Sequence, residues 1–406
     1  MANFVQEFRS TDLNAPVLSG TTGAMLTVLN ACLVDGYTPA SITSITESGS
    51  NYTMVIPAAN ITLLVNEYIK IASCTTGAIN GVWKITSVNA AGTSIVFTGP
   101  GGIGAITVGP GTYAKAPIGW TRPFAAGTNS QTYRAPGSWA GTNQFYFQGI
   151  DNAALAGSNK EMQAYGAEVM TADQTISSGR FPTAAQFANG YIWTKSDTAS
   201  DAGARKWSII GDNYTFYMQT IRDIGNVQYS TFGFGEYKSF KSGGSSYCSF
   251  ISGLQTTNVW AASDGAFTTP AFANTLTSNA VNIVRGASGT GTAQTSGFYC
   301  LAGAGAYNGR NPSRQLGGIE VMPYLVVDGT ASNVCVIGRL RGVYNIGARW
   351  PAKGAAAVSG PYIQFNDNQT VTLASNPFGG TTMSVWRGND TGSHMQVLVD
   401  RFGPWT

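Results

Sequence analysis

Charge is what this sequence has least of. Asp, Glu, Lys and Arg make up 11% of its 406 residues, against roughly 25% in an ordinary globular domain. From Ser242 to Gly309 the only charged residues are Asp264 and Arg285. The net charge of +3 has no basic cluster denser than Arg339/Arg341 or Arg205/Lys206, which excludes the electrostatic footprint of a nucleic-acid binder. Histidine is nearly missing too. His394 stands alone, so no multi-histidine metal site can form and a serine or cysteine nucleophile would need this one residue as its base. No Gly-x-Ser-x-Gly elbow and no phosphate-binding Gly-x-x-x-x-Gly-Lys loop occurs. The best reading of His394 is a solvated loop residue, and no cofactor is expected.

Cysteine is sparse and scattered: Cys32, Cys74, Cys248, Cys300 and Cys335 form no close pairs and are odd in number, which argues against a disulfide framework or a zinc knuckle. Reduced, partly buried thiols are expected. No apolar run reaches the ~18 residues of a membrane span, and Met1-Ala-Asn-Phe-Val-Gln-Glu-Phe-Arg9 lacks the basic and apolar regions of a signal peptide. The expectation is synthesis in the cytosol without membrane insertion.

What the sequence has in quantity is glycine, 51 residues, with 43% hydrophobic and 11% aromatic residues. The apolar content is enough to offset chain entropy, so the glycine and serine mark loops and not disorder. With so little charge, Ser, Thr, Asn and Gln must keep the surface wet, and neutral hydrogen bonding is not screened by salt.

The periodicity predicts a mainly β fold: antiparallel sandwich-like or barrel-like domains with one short N-terminal helix. Met25, Leu26, Val28, Leu29, Cys32 and Leu33 recur at helical spacing between Ser19-Gly-Thr-Thr22 and Gly36, which predicts a helix over about 22–34. Its other face, Ala24, Thr27, Asn30 and Ala31, carries no charge to hold it in water. That face suits either a core helix or a subunit contact. Residues 43–115 read as a small β module inserted into a larger domain, with Asn80-Gly81 as a hairpin turn, Gly99-Pro-Gly-Gly-Ile-Gly104 as irregular chain and Ile106-Thr-Val108 as a closing strand. Residues 1–42 and 116–230 form the N-terminal β domain, and 231–406 a C-terminal one. Trp207–Ile210 and Tyr214–Met218 read as strands turned at Gly211-Asp-Asn213. Glu161–Met170 fits neither period cleanly and leans to strand. Val321–Val327, Val334–Leu340, Met383–Arg387 and Met395–Val399 are strand candidates further on, with Pro323 at an edge or bulge.

Little in the sequence invites catalysis. Asp197 and Asp201 are the nearest carboxylate pair that could serve a glycosidase, although loop solvation is the better explanation of them. Gly303-Ala-Gly305 lacks the flanks of a dinucleotide site. The well-spread tryptophans suit sheet cores as readily as a sugar platform. The candidate functional residues are instead contacts. Phe4, Phe8, Leu13, Pro16, Val17 and Leu18 put apolar groups on a chain end that Pro16 keeps extended, and with Met25 and Leu29 they could root the chain on a neighbour. The partner could also be the protein's own core.

Asn14-Ala-Pro-Val-Leu-Ser-Gly-Thr-Thr-Gly-Ala-Met-Leu-Thr-Val-Leu-Asn-Ala-Cys-Leu-Val-Asp-Gly-Tyr37 resembles the opening of a widespread family of tailed-bacteriophage virion proteins. Ala116–Phe124, Arg180–Ser196 and Trp207–Asp212 continue the resemblance, and Gly77–Val88 is similar to a small β module recurring in phage tail and head-surface proteins. Phe232–Gly243 and Ile337–Tyr344 resemble the family more loosely, and the chain departs from it after Trp350. The resemblance implies a virion structural protein, made in the host cytoplasm, that contacts other virion proteins; the neutral, Gly/Thr/Asn-rich β surface adds the expectation of a symmetric homo-oligomer such as a trimer, since it suits contacts repeated over a closed shell. It carries over no catalytic residues. Capsid-surface decoration is the leading position; a tail, baseplate or fibre component and a polysaccharide-binding or -degrading spike are the alternatives.

Overall fold

The helical run begins two residues later than its periodicity predicts and ends at the expected glycine. In the computed structural model it runs Ala24–Asn30 and passes into a π-helical turn, Ala31–Asp35. Gly23 enters it left-handed, without a side-chain cap. The first turn is satisfied instead from far away: Asp151 Oδ2 accepts the Met25 N–H at 2.9 Å. At the other end Gly36 has a φ of 88°, a conformation only glycine adopts at little cost, and the coil stops there as the sequence predicts. The structure describes residues 4–60, 62–136, 145–152, 160–221, 229–240 and 248–254, then 280–285, 294–299, 318–327, 330–333, 338–345, 370–372, 382–387, 396–401, 403 and 405. His394, Cys300, Cys335, Gly303-Ala-Gly305 and the expected strand start at 334–337 lie outside them.

The protein is mainly β, in antiparallel sheets with this one short helix. Nine strands pair in succession: Ser130–Arg134, Tyr146–Ile150, Glu161–Ala167, Tyr191–Thr194, Ser249–Leu254, Tyr229–Ser239, Thr215–Ile221, Lys206–Gly211 and Gln6–Arg9. Alternate residues of these strands, among them Phe147, Met162, Trp193, Phe216, Phe232, Phe234, Ile209 and Phe8, face one core. The inner side of the helix, Met25, Leu26, Val28 and Leu29, fills it. The sheet supplies most of the aromatic bulk and the helix fills the space between with aliphatic side chains and Met25. Glu161–Ala167 is a strand, and Lys206–Gly211 and Thr215–Ile221 form the expected hairpin. Asp212 Oδ1 fixes its turn by accepting the N–H groups of Tyr214 and Thr215, each at 2.8 Å.

A second, seven-stranded sheet is built from residues 40–115 alone, in the order Ala40–Ser41, Thr112–Lys115, Tyr68–Ala72, Gly81–Val88, Ser94–Thr98, Asn51–Val55, Ser44–Ser48. The first and last strands are halves of one segment bent at Ile42 and Thr43, so the sheet curls back towards itself around Ile45, Met54, Ile69, Ile71, Ile85, Ile95 and Phe97. Two local expectations fail here. Asn80 is extended and makes no two-residue turn; its side chain instead ties off the longer connection by bonding Cys74 N and O at 2.9 and 3.2 Å. Ile106-Thr-Val108 is not a strand, and Thr112–Lys115 closes the sheet in its place.

The expected boundary at residue 230 falls inside the strand Tyr229–Ser239, which pairs with Thr215–Ile221, Ser249–Leu254 and Gly338–Asn345. One sheet therefore continues from the N-terminal half into the C-terminal strands. Their shared core gathers Val5, Ile210, Tyr217, Phe250, Val343, Val399 and Trp405. Gly342, at φ 64°, lies directly under the Trp405 ring where a Cβ would collide. Cys32, Cys74 and Cys248 are buried free thiols. Among the described residues no helix is long and apolar enough to cross a membrane.

Candidate functional site

The N-terminal segment is extended, as expected, but it is not a free arm. Gln6–Arg9 pairs along its length with Lys206–Gly211, which buries Val5 and Phe8 on opposite faces of the sheet, in two different cores. Phe4 stacks on Tyr68 with ring centroids 4.2 Å apart. Leu18 is fully buried, and its carbonyl accepts the Arg205 N–H at 2.8 Å. The Pro16 carbonyl accepts Trp207 Nε1–H at 3.1 Å. Met25 and Leu29 lie wholly inside the helix-filled core. Of the eight expected anchoring residues, Leu13 and Val17 are the exposed ones, at 40% and 60%. The rest are used in full or in part by the protein itself, because a chain end with this many apolar groups finds a partner first in the nearest sheet.

Behind the first strand lies a cluster of charges that sequence reasoning missed. Lys115 Nζ sits 2.8 Å from Asp12 Oδ2 and 3.1 Å from Glu67 Oε1, with all three side chains buried. Arg401 joins it, contacting Glu7 through Nε and lying 3.6 Å from Glu67 Oε1 through Nη2. Arg9 also pairs with Glu7. Three cations and three anions cancel where the first strand, the small sheet and the C-terminal strands meet. Tyr37 lines the same place, its hydroxyl donating to the Arg9 carbonyl at 3.3 Å. Burial pushes its pKa well above the ordinary value, aided by Cys32, Asp12 and Glu67. The available signal was rarity: a lysine inside Thr112-Tyr-Ala-Lys-Ala-Pro117 is conspicuous in a chain so poor in charge.

A second buried pair supports the helix. Lys195 bonds Asp151 and the Thr21 carbonyl while Asp151 caps the helix. Burial raises the Asp151 pKa and lowers that of Lys195 in spite of their pairing. Outside this pair runs an open groove of about 580 Å3. The helix residues Ala24, Thr27 and Asn30 line it together with Ala126, Gly127, Asn129, Ser130 and Gln131, and Val17 borders it. Among the described residues no charged side chain lines it. Both groups of residues are fixed: Tyr133 donates its hydroxyl to Asn30 Oδ1 at 2.9 Å, while Asp173 accepts Gly127 N–H at 3.2 Å, Thr132 Oγ1–H at 2.7 Å and the Ser130 hydroxyl. The uncharged helix face that the sequence left open between core and contact is therefore divided, Ala24 being nearly covered and Thr27 exposed.

Asp197 and Asp201 are brought together, but by an arginine. Arg205 Nη2 lies 3.0 Å from Asp197 Oδ1 and 2.6 Å from Asp201 Oδ2, its own side chain fully buried. The Gly203 N–H and Arg205 hold the Asp201 pKa below the ordinary carboxylate value.

No family model matches the chain, and no curated protein matches it. Among solved structures, phage phi92 endosialidase aligns over 92% of this chain and 71% of that chain, at 10% identity and a TM-score of 0.16. A superposition that poor carries no argument about fold or activity.

Proposed function

We propose that this chain is a structural component of a bacteriophage virion, a capsid-surface decoration or cement protein that acts through subunit contacts and performs no catalysis. The observation that carries the reading is where the charge goes. In a chain this poor in charge, Lys115, Lys195, Arg205, Arg341 and Arg401 are all buried against carboxylates. The outer side of the segment that resembles phage virion proteins is left as an uncharged polar groove. Neutral hydrogen bonds and apolar packing are the contacts such a surface makes, and they survive the changes of salt a particle meets outside its host. A polysaccharide-degrading spike draws no support from the carboxylate pair. A general acid needs a raised pKa, whereas Asp201 is lowered and both carboxylates are held by Arg205.

The test is mass spectrometry of purified particles from the host that produces this chain, with its copy number measured against the major capsid protein. Copies on the order of hundreds, as a closed symmetric shell requires, support the capsid surface. A handful to a few dozen move the chain to the tail, baseplate or fibre, and absence from the particle overturns the reading.

A further inference from the structure

We infer that Lys195 and Asp151 condense to a side-chain amide, an isopeptide bond that the folded chain forms on itself. The bond is a modification of the buried pair behind the helix and does not depend on where the chain is used. Lys195 Nζ and Asp151 Oδ1 are in direct contact, and the two side chains are exposed at 0% and 1%. Each residue is fixed through its backbone: the Asp151 N–H bonds the Asn129 carbonyl and the Lys195 N–H bonds the Lys160 carbonyl, both at 2.8 Å. They follow the strands Tyr146–Ile150 and Tyr191–Thr194, which flank Glu161–Ala167 on its two sides. The fold therefore keeps amine and carboxyl together, oriented and away from water, which is what a slow bimolecular condensation otherwise lacks.

The contrast with Lys115 separates this pair from an ordinary ion pair. At Lys115 two carboxylates outweigh burial and keep the ammonium charged. Lys195 has Asp151 for its carboxylate, and here burial outweighs the attraction. Burial favours the uncharged forms of both groups, an amine and a carboxylic acid, and these are the forms that react. In the step, one ammonium proton passes to Oδ1 and the Nζ lone pair attacks Cγ. The Cγ–Oδ1 bond then breaks, and Oδ1 leaves as water with that proton and a second one from Nζ. The Met25 N–H, 2.9 Å from Oδ2, steadies the negative charge this oxygen carries in between. No oxidant or co-reactant is needed. The surroundings also fit the product: Oδ2 becomes the amide oxygen and keeps the Met25 N–H, and the nitrogen keeps one hydrogen for the Thr21 carbonyl, which Nζ already meets at 2.5 Å. Two charges leave a dry site and neither backbone partner is stranded.

The test is intact mass spectrometry of the purified, denatured full chain, followed by a peptide map. The wild type is expected to be lighter than its sequence by one water and to yield a branched peptide joining Asp151 to Lys195. Lys195→Met and Asp151→Ala, each compared with its own sequence, are expected to have the full mass, while Lys206→Met, at an exposed lysine, keeps the deficit. The wild-type measurement decides the matter even where a variant fails to fold, and it needs no particle, so it stands or falls separately from the presence of the chain in virions. A wild type of full mass, with Asp151 and Lys195 in separate unmodified peptides, overturns the inference. So does a water lost elsewhere, as in a succinimide at Asp35-Gly36, because the map then shows the two peptides unlinked.

Discussion

The side chain of Gln6 pairs with the backbone of Tyr68 as a neighbouring strand would: its Nε2–H donates to the Tyr68 carbonyl at 2.9 Å and its Oε1 accepts the Tyr68 N–H at 3.0 Å. The first strand thus has its backbone in the large sheet while the Gln6 side chain reaches across to the small one. Deleting Ala2 to Leu13 would remove Phe8 from the core and Asp12 from Lys115, and the expected outcome is loss of folding, not a soluble chain that has merely lost an anchor. Single changes separate the roles. Met25→Ala or Leu29→Ala should cost about 2–5 kcal/mol as buried cavities. Leu13→Ser and Val17→Ser should stay within about 0.5 kcal/mol, as exposed positions do. Urea unfolding of the five proteins checks the ranking.

Lys115→Ala is expected to destabilise the protein by about 3–5 kcal/mol, the usual result of stranding buried partners of the opposite charge. Excising residues 43–115 removes both Lys115 and Glu67 and leaves Asp12 buried with neither. The remaining chain should therefore express poorly, even though the small sheet has a core of its own. Soluble yield and denaturant midpoints of the two variants decide this. A well-folded remnant would mean that Asp12 finds water or another cation once the small sheet is gone.

The same cluster sets a pH dependence whose direction is unusual for acid. Burial alone would lower the Lys115 pKa, but Asp12 and Glu67 outweigh it and lift it above 10.5. The stability it contributes is complete below the ordinary lysine value and is lost as pH rises through the lifted one. Glu67 is raised as well, because its burial outweighs the attraction of Lys115 and Arg401. A carboxyl that holds its proton more tightly when folded takes no stability away as pH falls through its range. Urea midpoints are expected to drop as pH rises beyond the ordinary lysine value in the wild type and much less in Lys115→Met. A drop on going from about pH 7 to about pH 5 that Glu67→Gln abolishes would contradict the assignment.

Glu47 organises the glycine-rich chain that the sequence reads as irregular. Its carboxylate accepts the N–H groups of Gly102, Ile103 and Gly104, the last at 2.6 Å, and the Tyr52 hydroxyl at 3.1 Å. Desolvation alone would raise its pKa, but these donors, Gly104 foremost, hold it below the ordinary carboxylate value. Protection of the 102–104 amides should therefore persist above the ordinary carboxylate pKa and be lost as pH falls through the lowered one. In Glu47→Ala these amides should exchange freely at all pH while the rest of the small sheet keeps its protection. Hydrogen exchange followed by NMR is the measurement.

What could be read in the sequence and what could not divides by distance along the chain. The helix register from Met25 to Leu33, the turn at Asp212 and the strands around Trp207 and Tyr217 follow from local periodicity and local turn chemistry. Asn80-Gly81 misled because a dipeptide suited to a tight turn was used as a brace for a longer one, with Cys74 as the partner that only the fold supplies. The helix start was misplaced for a like reason, its cap being Asp151, 126 residues away. Phe4 to Leu18 were legible as apolar and extended. Their division between core and surface depends on Lys206–Gly211 and the small sheet, and no pattern within the segment encodes that.

The bond between Glu7 and Arg401 spans 394 residues, and this gives the protein a clock. During synthesis the first strand emerges early and the small sheet soon after, but Glu7 and Glu67 stay short of a cation until residue 401 has left the ribosome. Until then Arg9 and Lys115 are two cations against the three carboxylates Glu7, Asp12 and Glu67, and burying the third negative charge without a counter-ion is costly. The meeting of the three parts reaches charge balance only once Arg401 is in place, so a chain interrupted before it keeps one carboxylate in excess over Arg9 and Lys115.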